Sequence, residues 1–184
     1  SRDHVVVCGT DEVIALIRQC AFHPETIEIH SLRDGEEVDE WETVMTIEGD
    51  YADFAHLETI YLGILARQSR IATNVRRVVK AANGKPVLFF PARYDIYQTQ
   101  ESDGYAALVG GIHGFSTDAN ALAAGGKGLG TIPHALIASY KGDTVAATEA
   151  FDKYVDPSIA RIALVDFDND CVNTSLAVAR KLGK

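Results

Sequence analysis

Three periodicities follow one another along the chain. Val5–Val7 is a short β-branched run, which predicts a strand. Behind it Val13, Ile14, Leu16 and Ile17 fall on one helical face, so a helix is expected to about Cys20, with Thr10 or Asp11 as its cap and Pro24 closing the pattern. From Thr26 to Gly49 the period changes to two, carried by Ile27 and Ile29 and later by Val44, Thr46 and the neighbouring Ile47. Asp34-Gly35 between these runs is a turn signal. From Tyr51 to Ala82 the period is helical again. Leu57, Ile60, Tyr61, Ile64, Leu65, Ile71, Val75 and Val78 or Val79 form a broad stripe, and Asn83-Gly84 ends it.

Four β/α-like units are expected after that. Val87–Phe90 reads as an apolar strand and Gly114–Ser116 as a weaker one. A third lies within Leu129–Ile137, and RIALVDF at Arg161–Phe167 is the fourth. Helices are expected near 102–109, 117–124, 143–154 and 171–182, with Asp143 or Thr144 capping the third of them. Strands alternating with helices imply a parallel sheet or an α/β barrel. In such folds the polar residues that follow strands gather at the carboxyl end, where ligands bind. Arg93, Ser116 to Asp118, His134 and Asp166 are expected on that face.

Composition narrows the function classes. The 184 residues suggest one domain or two small ones, and 47% hydrophobic with 23% charged residues is an ordinary globular balance. A formal net charge of −9 argues against a general nucleic-acid or membrane-surface binder. Cys8, Cys20 and Cys171 are odd in number and widely spaced, which suggests neither a zinc site nor a disulfide framework and fits buried thiols in a reducing compartment. No apolar run is long enough for a membrane span and the start lacks a signal-peptide layout, so a cytoplasmic protein is expected. The Asp34-Gly35 hairpin region resembles the lipoyl- and biotinyl-carrier barrel in layout, but it has no Lys to carry a cofactor.

The candidate chemistry centres on GGIHGFSTDANALAAGGKGLGTIPHALI, residues 110–137, with seven glycines set among Ser116, Thr117, Asp118, Thr131 and His134. Glycine fills no core volume and costs backbone entropy. The stretch is therefore either a surface loop or an edge where backbone approaches a ligand. Arg93, three residues past an apolar strand, can grip a carboxylate or phosphate in two-pronged fashion. Phe89 and Phe90 alternate sides, one for the core and one able to stack on a flat ring. His134 serves either as a structural residue or as a catalyst. Arg67, Arg70, Arg76, Arg77 and Lys80 make residues 67–80 the most basic part of the chain, which is either a solvated helix face or a wall for polyphosphate. Asp166, Asp168 and Asp170 imitate the opening of a calcium loop, but the Gly and Glu that complete one are absent.

Together the runs ETIYLGILARQSRIATNVRRVV, PVLFFPARYDIYQTQ, DGYAALVGGIHGFSTDAN and GTIPHALIASYKGDTVAA resemble the type II phosphoribosyltransferases, and among them the nicotinate phosphoribosyltransferase branch. The resemblance covers nearly the whole chain. It implies an α/β protein in which residues 1–83 form a hybrid β-barrel with helices and residues 84–184 form the first part of an α/β barrel. Later family motifs, an R-L-D strand and a Gly-rich phosphate turn, are absent, which implies a fragment inactive by itself. The implied reaction joins nicotinate to phosphoribosyl pyrophosphate with release of pyrophosphate, in NAD salvage, with Mg²⁺ and with ATP as co-substrate. The implied assembly is a homo-oligomer. In this resemblance Phe90 packs on the pyridine ring and Arg93 belongs to the base pocket. Ser116 and Thr117 offer hydroxyls to a carboxylate, Thr131 lines the substrate site, and Asp118 falls where nicotinamide-using relatives place an amide acceptor. His134 matches a histidine phosphorylated from ATP, Asp166 a strand-end acid near the donor ribose or metal, and Arg67 and Arg70 a wall for pyrophosphate. A nicotinamide- or quinolinate-using enzyme is the alternative within the fold. The quinolinate-using one would be expected to show several basic residues after the first barrel strand, where this chain has Arg93 alone. A non-catalytic binding module is the alternative outside it.

Overall fold

Strand β1 (Val5–Val6) is bonded on both of its edges, and only one partner is a strand. On one side it pairs antiparallel with β3 (Glu37–Val38) in the register Val5↔Val38 and Val6↔Glu37. On the other side it meets two side chains of a helix. The amide of Val6 donates to Thr73 Oγ1 at 2.9 Å and that of Cys8 to Ser69 Oγ at 3.0 Å. Ser69 and Thr73 are four apart in sequence, so they stand one above the other on a single helical face. That face replaces the strand that would otherwise satisfy these buried amides.

The computed structural model describes residues 4–183. Helix α1 (Thr10–Cys20) follows β1. Its cap is Gly9, at φ 97°, rather than the side chain of Thr10 or Asp11. Thr10 instead is buried and turns to Asp34, donating from its amide at 2.9 Å and its hydroxyl at 2.8 Å. A Cβ at residue 9 would come within 3.0 Å of Ile64, which with the left-handed backbone explains the glycine. The period-two region forms β2 (Glu28–Ser31) and β4 (Met45–Glu48), antiparallel with Ile29 opposite Ile47. Both project into the cluster of Val13, Ile17, Ile27, Phe54 and Leu57.

The expected helix from Tyr51 to Ala82 is divided. A short α2 (Tyr51–Phe54), capped by Asp50, passes through a 3-10 turn at Ala55–Leu57 into α3 (Glu58–Ala81). Helix α3 ends as expected at Asn83 and Gly84, both with positive φ. It packs on α4 (Gln100–Gly110), and the crossing requires glycine: a Cβ on Gly110 would lie 2.7 Å from the Val75 side chain and 2.8 Å from the Ala72 carbonyl oxygen. Between these helices runs β5 (Leu88–Phe89), which pairs parallel with β6 (Gly114–Phe115). Val75, Ala107, Ile112, Phe115 and Ala121 form the cluster beneath them. Helix α5 (Asp118–Ala121) continues as a 3-10 turn to Ala124.

The chain packs as two units, the first closing at Gly128 and the second opening at Leu129. The second holds α6 (His134–Ser139), α7 (Thr144–Tyr154) and α8 (Cys171–Leu182) around Ile132, Ile137 and Ala147. Asp143 caps α7, accepting from Ala146 N at 2.9 Å, and Asp170 caps α8, accepting from Asn173 N at 3.1 Å.

Neither strand expected in this unit forms. Segments 129–133 and 161–166 carry no strand, and one backbone bond, Ile132 N to Ile162 O at 3.2 Å, joins them. A strand needs a ladder as well as an apolar run, and a single bond makes none. Likewise the three sheets have two strands each, and no closed barrel exists among the described residues. The result is an α/β fold with a helical, small-sheet amino-terminal region. No helix among the described residues is long and apolar enough to cross a membrane.

Two outcomes test this framework. Thr73→Val strands the buried Val6 amide and is expected to cost about 1–3 kcal/mol in urea unfolding, while Thr73→Ser, which keeps the acceptor, costs distinctly less. The Cys8 thiol is buried beside Asp34, and burial first, then that carboxylate, push its pKa up to about 12. Thiol labelling of the native chain at pH 8 is expected to modify exposed Cys20 and Cys171 quickly and Cys8 only after unfolding.

Candidate functional site

The parallel pair β5–β6 sets out the first group of candidate residues. With Leu88 opposite Gly114 and Phe89 opposite Phe115, the residues that come next, Phe90 and Ser116, both leave the carboxyl end of the pair. The amide of Ser116 adds one more rung, donating to Phe89 O at 3.0 Å. The alternation expected of the two phenylalanines is present: Phe89 packs against the core and Phe90 is exposed. Arg93 lies in the turn that follows, exposed to solvent.

Ser116 is unusual. Its Oγ is buried and finds no hydrogen-bond partner among the described residues. A buried hydroxyl without a partner costs free energy, and this one stands at a strand end, one residue from the core. Its neighbours, by contrast, are engaged. Thr117 caps α5, its Oγ1 accepting from Asn120 N at 3.1 Å and lying 2.7 Å from Gln100 Oε1. Asp118 Oδ1 accepts from Gly128 N at 2.8 Å. The Gly-rich stretch therefore folds back over the Ser116–Asp118 turn. The fit is close: a Cβ on Gly128 would stand 2.6 Å from the Thr117 carbonyl carbon. On the other flank a Cβ on Gly104 would fall 2.0 Å from Asn120 O, so α4 also reaches this turn through a glycine.

The basic helix resolves into separate roles. Arg67 donates to Asp103 from Nε (to Oδ1) and from Nη2 (to Oδ2), both at 2.8 Å, and Nη2 also reaches Asp95 and, at 3.3 Å, Thr99 Oγ1. These bonds to its own chain hold its guanidinium charged more firmly than an ordinary arginine. Arg76 caps the end of α4 through the carbonyls of Val109, at 2.9 Å, and Gly110, at 3.1 Å, and pairs with Glu37. Arg70 is exposed.

The second unit carries the other candidates. His134 opens α6, and its Nε2 lies 3.2 Å from Asp166 Oδ1, with the Phe167 ring 6.2 Å away centroid to centroid. Both partners are well exposed, His134 by 39% and Asp166 by 55% of the side chain. An imidazole oriented by a carboxylate is the arrangement that general base or nucleophile chemistry uses. Thr131 lies half-buried nearby in sequence, its hydroxyl 3.4 Å from Ile132 O. Asp168 and Asp170, which imitate a calcium loop in sequence, serve Thr174 and the cap of α8. Residues expected on one face thus fall into two sets: Phe90, Arg93 and Ser116–Asp118 in the first unit, and Thr131, His134 and Asp166 in the second.

A cavity of about 570 Å³ in the first unit is lined by Asp11, Glu12, Gln98, Glu101, Ser102, Tyr105 and Ala123, so it touches both the Arg93 loop and the Gly-rich stretch. Three carboxylates make it a poor receptor for an anion. Sequence reading took Asp34 only as a turn residue and passed over Asp103 and Gly104. The signal for Asp103 was a carboxylate four residues after Thr99, on the inner face of a helix rich in alanine.

Comparison with known proteins places this geometry. Residues 1–69 match the family described as quinolinate phosphoribosyl transferase, N-terminal domain. The nicotinate-nucleotide pyrophosphorylase of Pyrococcus furiosus is 36% identical, with a TM-score of 0.85 over 98% of this chain and 45% of that one. The Ehrlichia chaffeensis nicotinate-nucleotide pyrophosphorylase is 20% identical, with a TM-score of 0.65 over 86% and 55%. Human nicotinic acid phosphoribosyltransferase is 16% identical, with a TM-score of 0.63 over 78% and 34%. The last two speak to the fold alone. The chain spans less than half the length of the Pyrococcus relative.

Ser116→Ala removes a buried hydroxyl that has no partner. It is expected to leave stability unchanged or to raise it by up to about 1 kcal/mol. A loss larger than that in urea unfolding would mean that the hydroxyl has a structural partner.

Proposed function

We propose that this chain, which belongs to the type II phosphoribosyltransferase family, contributes to an enzyme that transfers phosphoribosyl from its pyrophosphate to a pyridine carboxylate, forming nicotinate mononucleotide. The observation that carries this reading is the 36% identity over 98% of the chain to a nicotinate-nucleotide pyrophosphorylase. The family match over residues 1–69 favours quinolinate as the base. Nicotinate is the second reading, and it rests on the loop after β5: residues 90–99 contain one cation, Arg93, which suits one carboxylate better than two.

In this proposal the first unit receives the base. Phe90 lies against the ring face and the Arg93 guanidinium holds a carboxylate in two-pronged fashion. The Ser116 hydroxyl, without a partner in the chain, donates to the same carboxylate, and Thr117 and Asp118 hold the turn that presents it. Asp118 would sit badly beside a carboxylate, but its Oδ1 is occupied by the Gly128 amide, so its role here is to close the loop.

The ring nitrogen attacks C1 of the donor as the C1–oxygen bond breaks, and pyrophosphate leaves with the electron pair; when the base is quinolinate, the C2 carboxylate then leaves as carbon dioxide, its bonding pair stays on C2, and a proton from solvent takes its place. The protein's task is to orient the two partners and to stabilise the departing charge. Thr131, His134 and Asp166 are assigned to the donor side. Mg²⁺ bound with the donor would help to neutralise the charge of the departing pyrophosphate. Among the described residues no group of three His, Cys, Asp or Glu side chains can hold an ion by itself. ATP belongs to the nicotinate reading, with His134 as phosphoryl acceptor beside Asp166.

The test supplies the full-length native protein with phosphoribosyl pyrophosphate and Mg²⁺, then quinolinate, nicotinate or nicotinamide, with and without ATP. Mass detection of nucleotide and of carbon dioxide separates the bases. Nucleotide with one equivalent of carbon dioxide from quinolinate supports the first reading. Nucleotide from nicotinate, faster with ATP, supports the second. Nicotinamide turnover, or none with any base, overturns both. In whichever enzyme results, Arg93→Ala is expected to raise the base KM by tenfold or more, for loss of a charge-assisted pair worth about 1.5–3 kcal/mol.

A further inference from the structure

We infer that Arg67, Asp95 and Asp103 are a strut that positions the Arg93 loop, so that Arg67 acts on base recognition from beneath the site; the inference rests on the proposed base pocket.

The loop from Phe90 to Thr99 needs such support. Phe90, Tyr94, Ile96 and Tyr97 along it are all exposed, Tyr94 by 86%. The apolar core that fixes other elements therefore does little to fix this one. Beyond the turn in which the Tyr94 amide donates to Pro91 O at 2.8 Å, the side-chain bonds of the loop run to or through Asp95 and Thr99.

Asp95 stands two residues after Arg93. Its Oδ1 accepts from the Ile96 amide at 3.0 Å and its Oδ2 takes Arg67 Nη2. The guanidinium is itself anchored at the other end. Asp103, 2% exposed, accepts its two 2.8 Å bonds and has Thr99 Oγ1 within 2.9 Å. Asp103 lies on α4 and Arg67 on α3, the pair of helices that meet at Gly110. The strut therefore runs from two packed helices to the backbone beside Arg93. A planar guanidinium is suited to this task, because its fixed fork meets one carboxylate on one edge and a second on another. The Arg67 guanidinium beside it also holds the Asp95 carboxyl below the usual carboxylate range.

The division of labour is testable because the two carboxylates differ in burial. Asp103 has a side-chain exposure of 3% and is part of the fold. Asp95, at 39%, can be removed with the Arg67–Asp103 pair left whole. The experiment compares full-length wild-type protein, Asp95→Ala and Asp95→Glu by thermal melting, by hydrogen exchange over residues 90–99, and by KM and kcat for the base that wild type uses. Asp95→Ala is expected to melt within a few degrees of wild type and to exchange faster in the loop. Its base KM is expected to rise about tenfold, as misplacement of a binding group produces, with the phosphoribosyl pyrophosphate KM unchanged and part of the loss restored in Asp95→Glu. A wild-type enzyme that turns over a pyridine base while Asp95→Ala keeps the same base KM overturns the strut alone. A rise in both KM values together with a large fall in melting temperature overturns it as well, in favour of a plain stability role. A wild-type protein that accepts no pyridine base overturns the underlying reading and the inference with it.

Discussion

The Asp34 carboxylate is the contact on which the first unit depends. It sits at the Asp34-Gly35 turn and accepts from the amide and hydroxyl of Thr10, and from Tyr105 OH at 2.8 Å. One side chain thereby joins the turn before β3, the start of α1 and the inner face of α4. The Gly35 amide donates to Val7 O at 2.8 Å in the same place, so the turn pairs with β1 through backbone while its carboxylate reaches beyond it. Burial, and then this carboxylate, raise the pKa of Tyr105 above that of a free phenol, which keeps the hydroxyl a donor at any physiological pH. Removing the carboxylate would leave Thr10, 1% exposed, with a buried amide and hydroxyl and no acceptor.

From that junction the route to the candidate site is short. Helix α4 is held to α3 at Gly110 and to α5 at Gly104, and both contacts are closer than any side chain allows. Helix α5 begins at the Ser116–Asp118 turn. The position of this turn is therefore fixed by glycine approaches on one flank and by the Asp118–Gly128 bond on the other. The Arg93 loop has no comparable packing and is held by charge instead. The two halves of the proposed base pocket thus differ in kind: one is rigid through sterics, the other through an ion-pair strut that is partly open to water. The second is the more easily disturbed, because an exposed pair is screened and is weaker than packing.

Much of this was legible in the sequence, and the boundary of legibility has a physical cause. The helical stripe of α3, the Asn83-Gly84 stop, the Asp143 cap and the opposed roles of Phe89 and Phe90 follow from local periodicity and local chemistry, and all are present. Where a long-range partner decides, local signals mislead. RIALVDF has every mark of a strand, but it has one backbone bond to Ile132 and no ladder. Arg67 has the composition of a phosphate wall, yet its donors are turned inward by Asp95 and Asp103, residues 28 and 36 positions away. Asp34 read as a turn former, which it is, and nothing local revealed that its second task is 71 residues distant at Tyr105.

Ser116 shows why the polar groups of a site are harder to assign than its apolar ones. Every neighbour in its turn has a bonding partner: Thr117 has Asn120 and Gln100, and Asp118 has Gly128. A structural serine in that position would be expected to do the same, since one residue of shift brings caps and carbonyls within reach. Its Oγ is buried and alone. A fold selected for stability only would place alanine there, because alanine fits the same backbone without the stranded hydroxyl. In the proposed base pocket a ligand atom would complete the bond. The hydroxyl can donate one hydrogen bond and accept others, so it suits a carboxylate oxygen as well as it suits an amide. In the proposed base pocket the choice between anionic and neutral base would fall to Arg93, whose charge favours the anion, so the orientation of the Arg93 loop would govern specificity.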